Sequence, residues 1–72
     1  MEEYKLRVVQ EKDALDLKLG ALNNFLRSAV FDTLPIAEQE LLRKQHVAMV
    51  IYSDTLKARI SRWQQNDQKM KN

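Results

Sequence analysis

The chain has no cysteine, one proline, one glycine and one histidine among its 72 residues. Disulfides are therefore excluded, and zinc or iron–sulfur sites lack thiolates and a second imidazole. A chain with one glycine has no phosphate-binding loop, and the lone histidine has no identifiable serine and aspartate around it. We expect no enzyme, no metal and no cofactor.

The chain also lacks a strong charge of one sign and a long apolar run. Twelve Lys and Arg against ten Asp and Glu leave a net charge of +2, and both signs alternate along the sequence. No stretch reaches the roughly 18 apolar residues of a membrane span, and the chain starts Met1-Glu2-Glu3 rather than with a basic and then an apolar segment. The sequence therefore predicts a soluble intracellular protein that binds neither DNA nor a membrane.

Apolar residues stepping by three and four predict an all-α fold with two helices. The first helix is predicted over about 3–30, and the second over about 35–65, after the break Phe31-Asp32-Thr33-Leu34-Pro35. We expect an antiparallel hairpin with a short turn, forming one domain over 1–66, and a disordered tail at 67–72. The predicted seam consists of Val8, Leu15, Leu19, Leu22, Leu26 and Ala29 facing Leu42, Met49, Leu56, Ile60 and Trp63.

Three positions within this pattern are less regular. His46 and Ser53 are polar residues in register with the seam, where such residues often set pairing. A satisfied seam histidine, a ligand contact and a metal ligand are the alternatives for His46. Gly20 costs about 1 kcal/mol relative to Ala in a helix, so it is either tolerated or marks a close approach.

Asp13 and Asp16, beside Lys12, are interpreted as a solvated face.

The run 47–52 covers every side of a helix with apolar residues, although one facing helix buries only one stripe. Below roughly 70–80 residues a single core seldom supplies more than about 3–5 kcal/mol without disulfides, metal or oligomerisation. The sequence therefore predicts a homo-oligomer. Its predicted interface residues are Val47, Val50, Ile51 and Tyr52.

Two sets of residues suit a nucleotide ligand. Tyr4, Arg7, Glu11 and Lys18 lie within about 60° of one another on a helix, where the ring can stack on a base and the two cations, a guanidinium and an ammonium, can meet phosphate. Tyr52, Arg59 and Arg62, spaced seven and three residues apart, form a second candidate set. In each case an amphipathic helix with cations flanking the seam is the simpler alternative.

The helix residues also form a recognisable pattern. It resembles that of the small phage-encoded anti-CBASS sponge proteins, which are related to hairpin-domain anti-Thoeris sponges. The pattern is Tyr4-x-x-Arg7-Val8-x-x-Glu11-x-x-x-Leu15-x-x-Lys18-x-x-x-Leu22-x-x-Phe25-Leu26, then Leu34-Pro35-x-x-Glu38-x-x-Leu41-Leu42-x-x-Gln45, then Met49-x-x-Tyr52-Ser53-x-x-Leu56-x-x-Arg59-Ile60.

The resemblance implies a compact homohexamer that sequesters cyclic dinucleotides without cleaving them, in the cytoplasm of the infected bacterial host. Cyclic trinucleotides and cyclic ADP-ribose isomers are further implied ligands. By this resemblance Tyr4 stacks on a purine, Lys18 meets phosphate, and Arg59, with Arg62 beside it, serves a trinucleotide pocket. Arg7 is our own additional candidate for the phosphate contact.

The distance along the first helix limits how Tyr4 and Lys18 can fill these implied roles. Tyr4 and Lys18 are 14 residues apart, hence about 21 Å at about 1.5 Å per residue. A compact cyclic dinucleotide does not bridge that distance, so the two residues must come from different chains if they share a ligand. The main alternative is an interaction protein whose apolar belt docks on another protein with no small ligand. A small DNA-binding regulator is a third, which the mixed charges disfavour.

Overall fold

The computed structural model describes the backbone of residues 2–71 and the side chains of residues 2–64. Within these ranges the protein is helical, with α1 at Glu3–Leu26, α2 at Ala29–Asp32 and α3 at Ile36–Lys71. The predicted all-α class is confirmed for the described residues. None of the helices found there combines the length and the apolar character needed to cross a membrane.

The two long helices pack side by side and antiparallel. Tyr4 near the start of α1 contacts Trp63 of α3, and Lys12 further along α1 contacts Ser53. The described molecule is a rod of 56 × 16 × 15 Å, because α3 alone has 36 residues and rises about 1.5 Å per residue. The open end of the hairpin, opposite the connection, therefore brings the start of α1 to the second half of α3.

The connection differs from the prediction of one helix over 3–30. Leu26 ends α1, and Ser28 adopts an extended backbone (φ −85°, ψ 156°) that begins the separate helix α2. The hydroxyl of Ser28 accepts from the N–H of Phe31 (3.3 Å) and donates to the carbonyl of Phe25 (2.7 Å). Serine favours such caps because its short hydroxyl satisfies the free backbone groups at helix ends. The predicted two-helix hairpin is thus corrected to three helices, with α2 inside the turn.

The end of α3 also differs from the prediction. The predicted second helix stops near residue 65, whereas the backbone of α3 is helical to Lys71. No Gly or Pro follows Trp63 to end the helix, so the loss of the apolar period alone was a weak stop signal. A disordered tail was predicted at 67–72. The side chains of these residues, and the whole of Asn72, lie outside the described residues.

The seam between α1 and α3 follows the predicted pattern except at Ala29, which is exposed because it begins α2 instead of continuing the first helix. Val8, Leu15 and Leu56 form its buried core, with Leu56 only 1% exposed. Met49, Ile60 and Trp63 pack against this core. At the closed end Phe31 of α2 is buried and meets the Phe25 ring edge-on, at 6.2 Å between centroids. The hairpin is therefore held along its length by a narrow stripe of apolar side chains.

A polar network interrupts this stripe and gives Asp16 a second role, because its side chain is 41% exposed as part of a solvated face but also accepts a hydrogen bond across the seam. The buried Ser53 hydroxyl donates to Oδ1 of Asp16 (2.6 Å), and the Lys12 ammonium donates to Oδ2 of Asp16 (2.6 Å) and to the Ser53 hydroxyl (3.3 Å). Each group therefore has a partner across or along the seam. A shift of one helix past the other by a turn would leave Ser53 without its acceptor, at a cost typical of a buried polar group.

The same network makes a pH dependence predictable. The hydrogen bonds from Lys12 and then from Ser53 hold the pKa of Asp16 below its ordinary value of 3.8. Because the pKa is lower in the folded state, this stabilisation is complete above about pH 4 and is lost as the pH falls through the folded pKa.

We expect the difference in free energy of unfolding between the wild type and Asp16→Asn to shrink below about pH 4. Urea denaturation across the acidic range measures it. A difference that stays constant with pH would contradict the assignment.

Two other sequence positions have plain structural outcomes. A Cβ placed at Gly20 would meet nothing within 4 Å in the single chain. Close approach within the hairpin is therefore not its reason. His46 is half-buried on α3, and its predicted alternatives stay open.

Candidate ligand-binding site

A cavity of about 430 Å³ opens at the open end of the hairpin. Its lining contributes three cationic side chains and two aromatic rings, and it includes no carboxylate. The lining residues are Tyr4, Lys5, Arg59, Arg62 and Trp63.

The local sequence explains how these side chains meet. Tyr4 and Lys5 belong to the first turn of α1. On α3, Arg59 lies four residues before Trp63 and three before Arg62, so its side chain can neighbour both of theirs on the helix surface. Since Trp63 continues the seam stripe of α3, antiparallel packing brings the first turn of α1 onto it. The site is therefore built by the same seam that holds the hairpin.

The Trp63 ring is the centre of this arrangement. The Tyr4 ring meets it nearly at a right angle, 84°, with 5.7 Å between centroids. The Lys5 ammonium lies 5.6 Å and the Arg59 guanidinium 5.9 Å from the tryptophan ring centroid. Edge-on pairs and cations within about 6 Å of a ring are both attractive arrangements. One fixed ring thus orders a second ring and two positive charges.

The chemistry of the cavity favours a flat anionic ligand. The Tyr4 side chain keeps 53% of its surface exposed, so a ring face remains for stacking against a planar group. Guanidinium and ammonium groups bind phosphate or carboxylate oxygens with charge-assisted hydrogen bonds. Within the described residues no group of three or more His, Cys, Asp and Glu side chains is placed to hold a metal ion.

The structure unites residues that the sequence analysis assigned to two pockets. Tyr4, predicted for the cyclic dinucleotide, lines the same cavity as Arg59 and Arg62, predicted for a second ligand. Lys18 does not line it and is exposed further along α1. Arg7 does not line it either, and donates to Glu3, four residues earlier on the helix, across 2.7 Å. The predicted roles of Lys18 and Arg7 stay predictions.

Sequence reasoning missed two lining residues. Trp63 was taken only as a seam residue, and Lys5 was not singled out at all. The signal lay in the hairpin itself, because antiparallel pairing of a seam that ends at Trp63 brings the first turn of α1 beside it. An aromatic residue at one end of a seam, with a cation four residues before it, is the feature that would have found it.

The predicted interface run lies mostly on the surface of the single chain. Val47, Ile51 and Tyr52 are exposed by 56%, 61% and 43%, and Val50 is half-buried. The described hairpin therefore leaves this apolar surface of α3 largely uncovered. The assembly that would cover it stays a prediction.

Comparisons with known proteins identify a family and a phage relative that match this chain. No solved structure matches it. An uncharacterized 7.5 kDa protein in the denB-rIIB intergenic region of Enterobacteria phage T4 is 44% identical over 63 residues, which cover 88% of this chain and 98% of that protein. Residues 2–62 match the Sequestin family. Because this match spans nearly all of the sequence, the chain belongs to the Sequestin family.

Proposed function

We propose that this protein is a phage-encoded sponge that binds cyclic dinucleotides, and holds them without cleavage, in the cytoplasm of the infected bacterial host. By removing the signal it blocks the effectors of CBASS immunity. Cyclic trinucleotides and cyclic ADP-ribose isomers are further proposed ligands. This assignment joins the anti-CBASS resemblance of the sequence to the chemistry of one cavity.

The observation that carries the proposal is the lining of the cavity at the open end of the hairpin. It combines two aromatic rings with three cations and no carboxylate. A nucleotide has the complementary parts, a flat base that stacks and a phosphate that accepts charge-assisted hydrogen bonds. The family name, Sequestin, and the relative in a phage agree with sequestration rather than turnover.

The proposal also requires more than one chain per pocket. Lys18, the phosphate contact implied by resemblance, lies about 21 Å along α1 from Tyr4 at about 1.5 Å per residue. The exposed apolar surface around Val47 and Ile51 offers a place for copies to associate. We therefore propose a homo-oligomer, a homohexamer by resemblance, in which Tyr4 of one copy and Lys18 of another contact one ligand.

Calorimetric titration with a panel of cyclic di- and trinucleotides tests the function. Light scattering fixes the mass of the assembly first, and the nucleotide is recovered and analysed afterwards. We expect sub-micromolar binding to an oligomer, with the ligand recovered unchanged. Absence of heat with every ligand would contradict the sponge, and a cleaved product would contradict sequestration.

A second function is favoured by the exposed apolar surface alone. An interaction protein that docks on another protein would use Val47, Ile51 and Tyr52 without any small ligand. Such a protein would stay monomeric or aggregate until its partner is present. Light scattering of the purified chain separates the two, because the sponge assembles with itself.

The double substitution Val47→Lys and Ile51→Lys is expected to reduce the mass of the assembly. Both side chains are more than half exposed in the single chain, so the hairpin core is not changed. Charged residues in a desolvated interface are costly. The matched control is Leu17→Lys, at a 78% exposed position of α1. If light scattering gives the wild-type mass for the double variant, the interface lies elsewhere.

A further inference from the structure

We propose that the open end of each hairpin is a subsite for one nucleoside monophosphate unit, complete within a single chain, with Trp63 as its fixed wall. The inference rests on the proposed function in taking a nucleotide as the ligand. It goes further, because a subsite that is complete in one chain also binds linear mononucleotides.

One chain supplies every group that such a unit needs. Tyr4 and Lys5 come from α1, and the arginines and Trp63 come from α3 of the same hairpin. The rings of Tyr4 and Trp63 form a corner of 84°. A base that stacks on one ring of such a corner presents its edge to the other ring, an arrangement that aromatic groups favour.

The cations of this subsite differ from other cations of the chain in the groups that hold them. Among the described side chains, Arg7 forms an ion pair with Glu3, and Lys12 forms one with Asp16. Lys5 and Arg59 are held instead over the Trp63 ring, and the cavity lining has no carboxylate. A ring attracts a cation without neutralising it. The two charges are therefore positioned in advance and remain available to a phosphate.

The cavity also has the size of a site for a small molecule. The cavity of about 430 Å³ lies in the lower part of the range for small-molecule sites, about 300–1,000 Å³. It suits one base with its sugar and phosphate, whereas a ring of two or three nucleotides extends beyond it. A cyclic ligand then occupies one such subsite and continues onto groups of neighbouring copies. The separation of Tyr4 from Lys18 along α1 has the same consequence.

Fluorescence provides the test, because Trp63 is the single tryptophan of the chain. The full chain is titrated with adenosine 5′-monophosphate, adenosine and inorganic phosphate, with excitation at the red edge of the tryptophan absorption. We expect the monophosphate to change Trp63 emission saturably, and adenosine and phosphate each to bind at least tenfold more weakly. Calorimetry should give one monophosphate per chain.

Two substitutions locate the subsite. Arg59→Gln is expected to weaken monophosphate binding at least tenfold. Arg43→Gln is the matched control, because Arg43 also lies over an aromatic ring, 5.0 Å from the Phe31 centroid, but at the closed end of the hairpin. Equal binding by Arg59→Gln and the wild type, or fewer than one monophosphate per chain at saturation, would overturn the inference.

A cyclic dinucleotide titrated in parallel separates this inference from the proposed function. Binding of the cyclic dinucleotide without binding of the monophosphate overturns the single-chain subsite and leaves the sponge standing. Binding of the monophosphate alone, one per chain, supports the subsite and overturns the sponge. If neither binds, both are wrong.

Discussion

Tyr4→Ala is expected to weaken the binding of a cyclic dinucleotide by tenfold or more while the oligomer stays intact. Stacking of one base on an aromatic side chain is worth about 1–3 kcal/mol, and each 1.4 kcal/mol is about tenfold in affinity. Tyr4 is half exposed and is held edge-on to Trp63, so its removal takes the stacking ring without emptying the seam. Calorimetry on protein first sized by light scattering measures the loss.

Two further variants sharpen this experiment. Tyr4→Phe keeps the ring and its edge-on contact, so it should bind nearly as the wild type does. Lys18→Ala tests the shared pocket, since Lys18 affects the same ligand only if another chain brings it near. Unchanged affinity in both Tyr4→Ala and Lys18→Ala would contradict the residue assignment. A loss in Tyr4→Ala alone would support a site at the open end of a single hairpin.

The seam was predictable because its signal is periodic. Leu15 and Leu56 were expected to face each other's helix from spacing alone, and both are buried. The polar Ser53 was expected in register with them, and it lies there with 7% exposure. A repeat of three and four residues reports which face is apolar whatever the partner helix does.

The connection was not predictable in the same way. Ser28 ends one helix and starts another through two hydrogen bonds to Phe25 and Phe31. The apolar residues around it gave no sign of a break, because Ala29 and Val30 continue the helical pattern. The role of Asp16 was predicted only in part, for a related reason. A carboxylate beside a lysine is usually solvated, and only the position of Ser53 across the seam makes it a structural acceptor.

The candidate site was also predictable only in part. Tyr4, Arg59 and Arg62 were recognisable as residue types that suit a nucleotide. Their meeting in one cavity depends on the register of two helices, which residue type does not encode. Lys5 and Trp63 join them only after α1 and α3 are paired. Contacts within one helix follow from spacing, whereas contacts between helices require the packed structure.

Leu56→Ala should have the largest effect on stability. Leu56 is 1% exposed at the centre of the apolar cluster with Val8 and Leu15. Truncating a buried leucine typically costs 2–5 kcal/mol, roughly 3 at the centre of this range. A core of this size seldom supplies more than about 3–5 kcal/mol, so the variant is expected to be largely unfolded without ligand. Urea denaturation followed by Trp63 fluorescence measures the difference.

Leu17→Ala is the matched control, because it removes the same atoms from a side chain that is 78% exposed. It should unfold at nearly the wild-type urea concentration. If Leu56→Ala did so too, the α1–α3 seam would not be what holds the hairpin.

Ligand binding at the site depends on the same pairing of α1 and α3 that the seam stabilises. Tyr4 and Trp63 lie on different helices, so the cavity exists only while α1 and α3 are paired. A ligand that binds only the paired state stabilises it by about 2.7 kcal/mol at 100 times its dissociation constant, close to the loss expected for Leu56→Ala. Saturating cyclic dinucleotide should therefore refold this variant and restore the Trp63 emission. The Leu56→Ala, Tyr4→Ala double variant, which lacks the stacking ring, should need at least tenfold more ligand to do so.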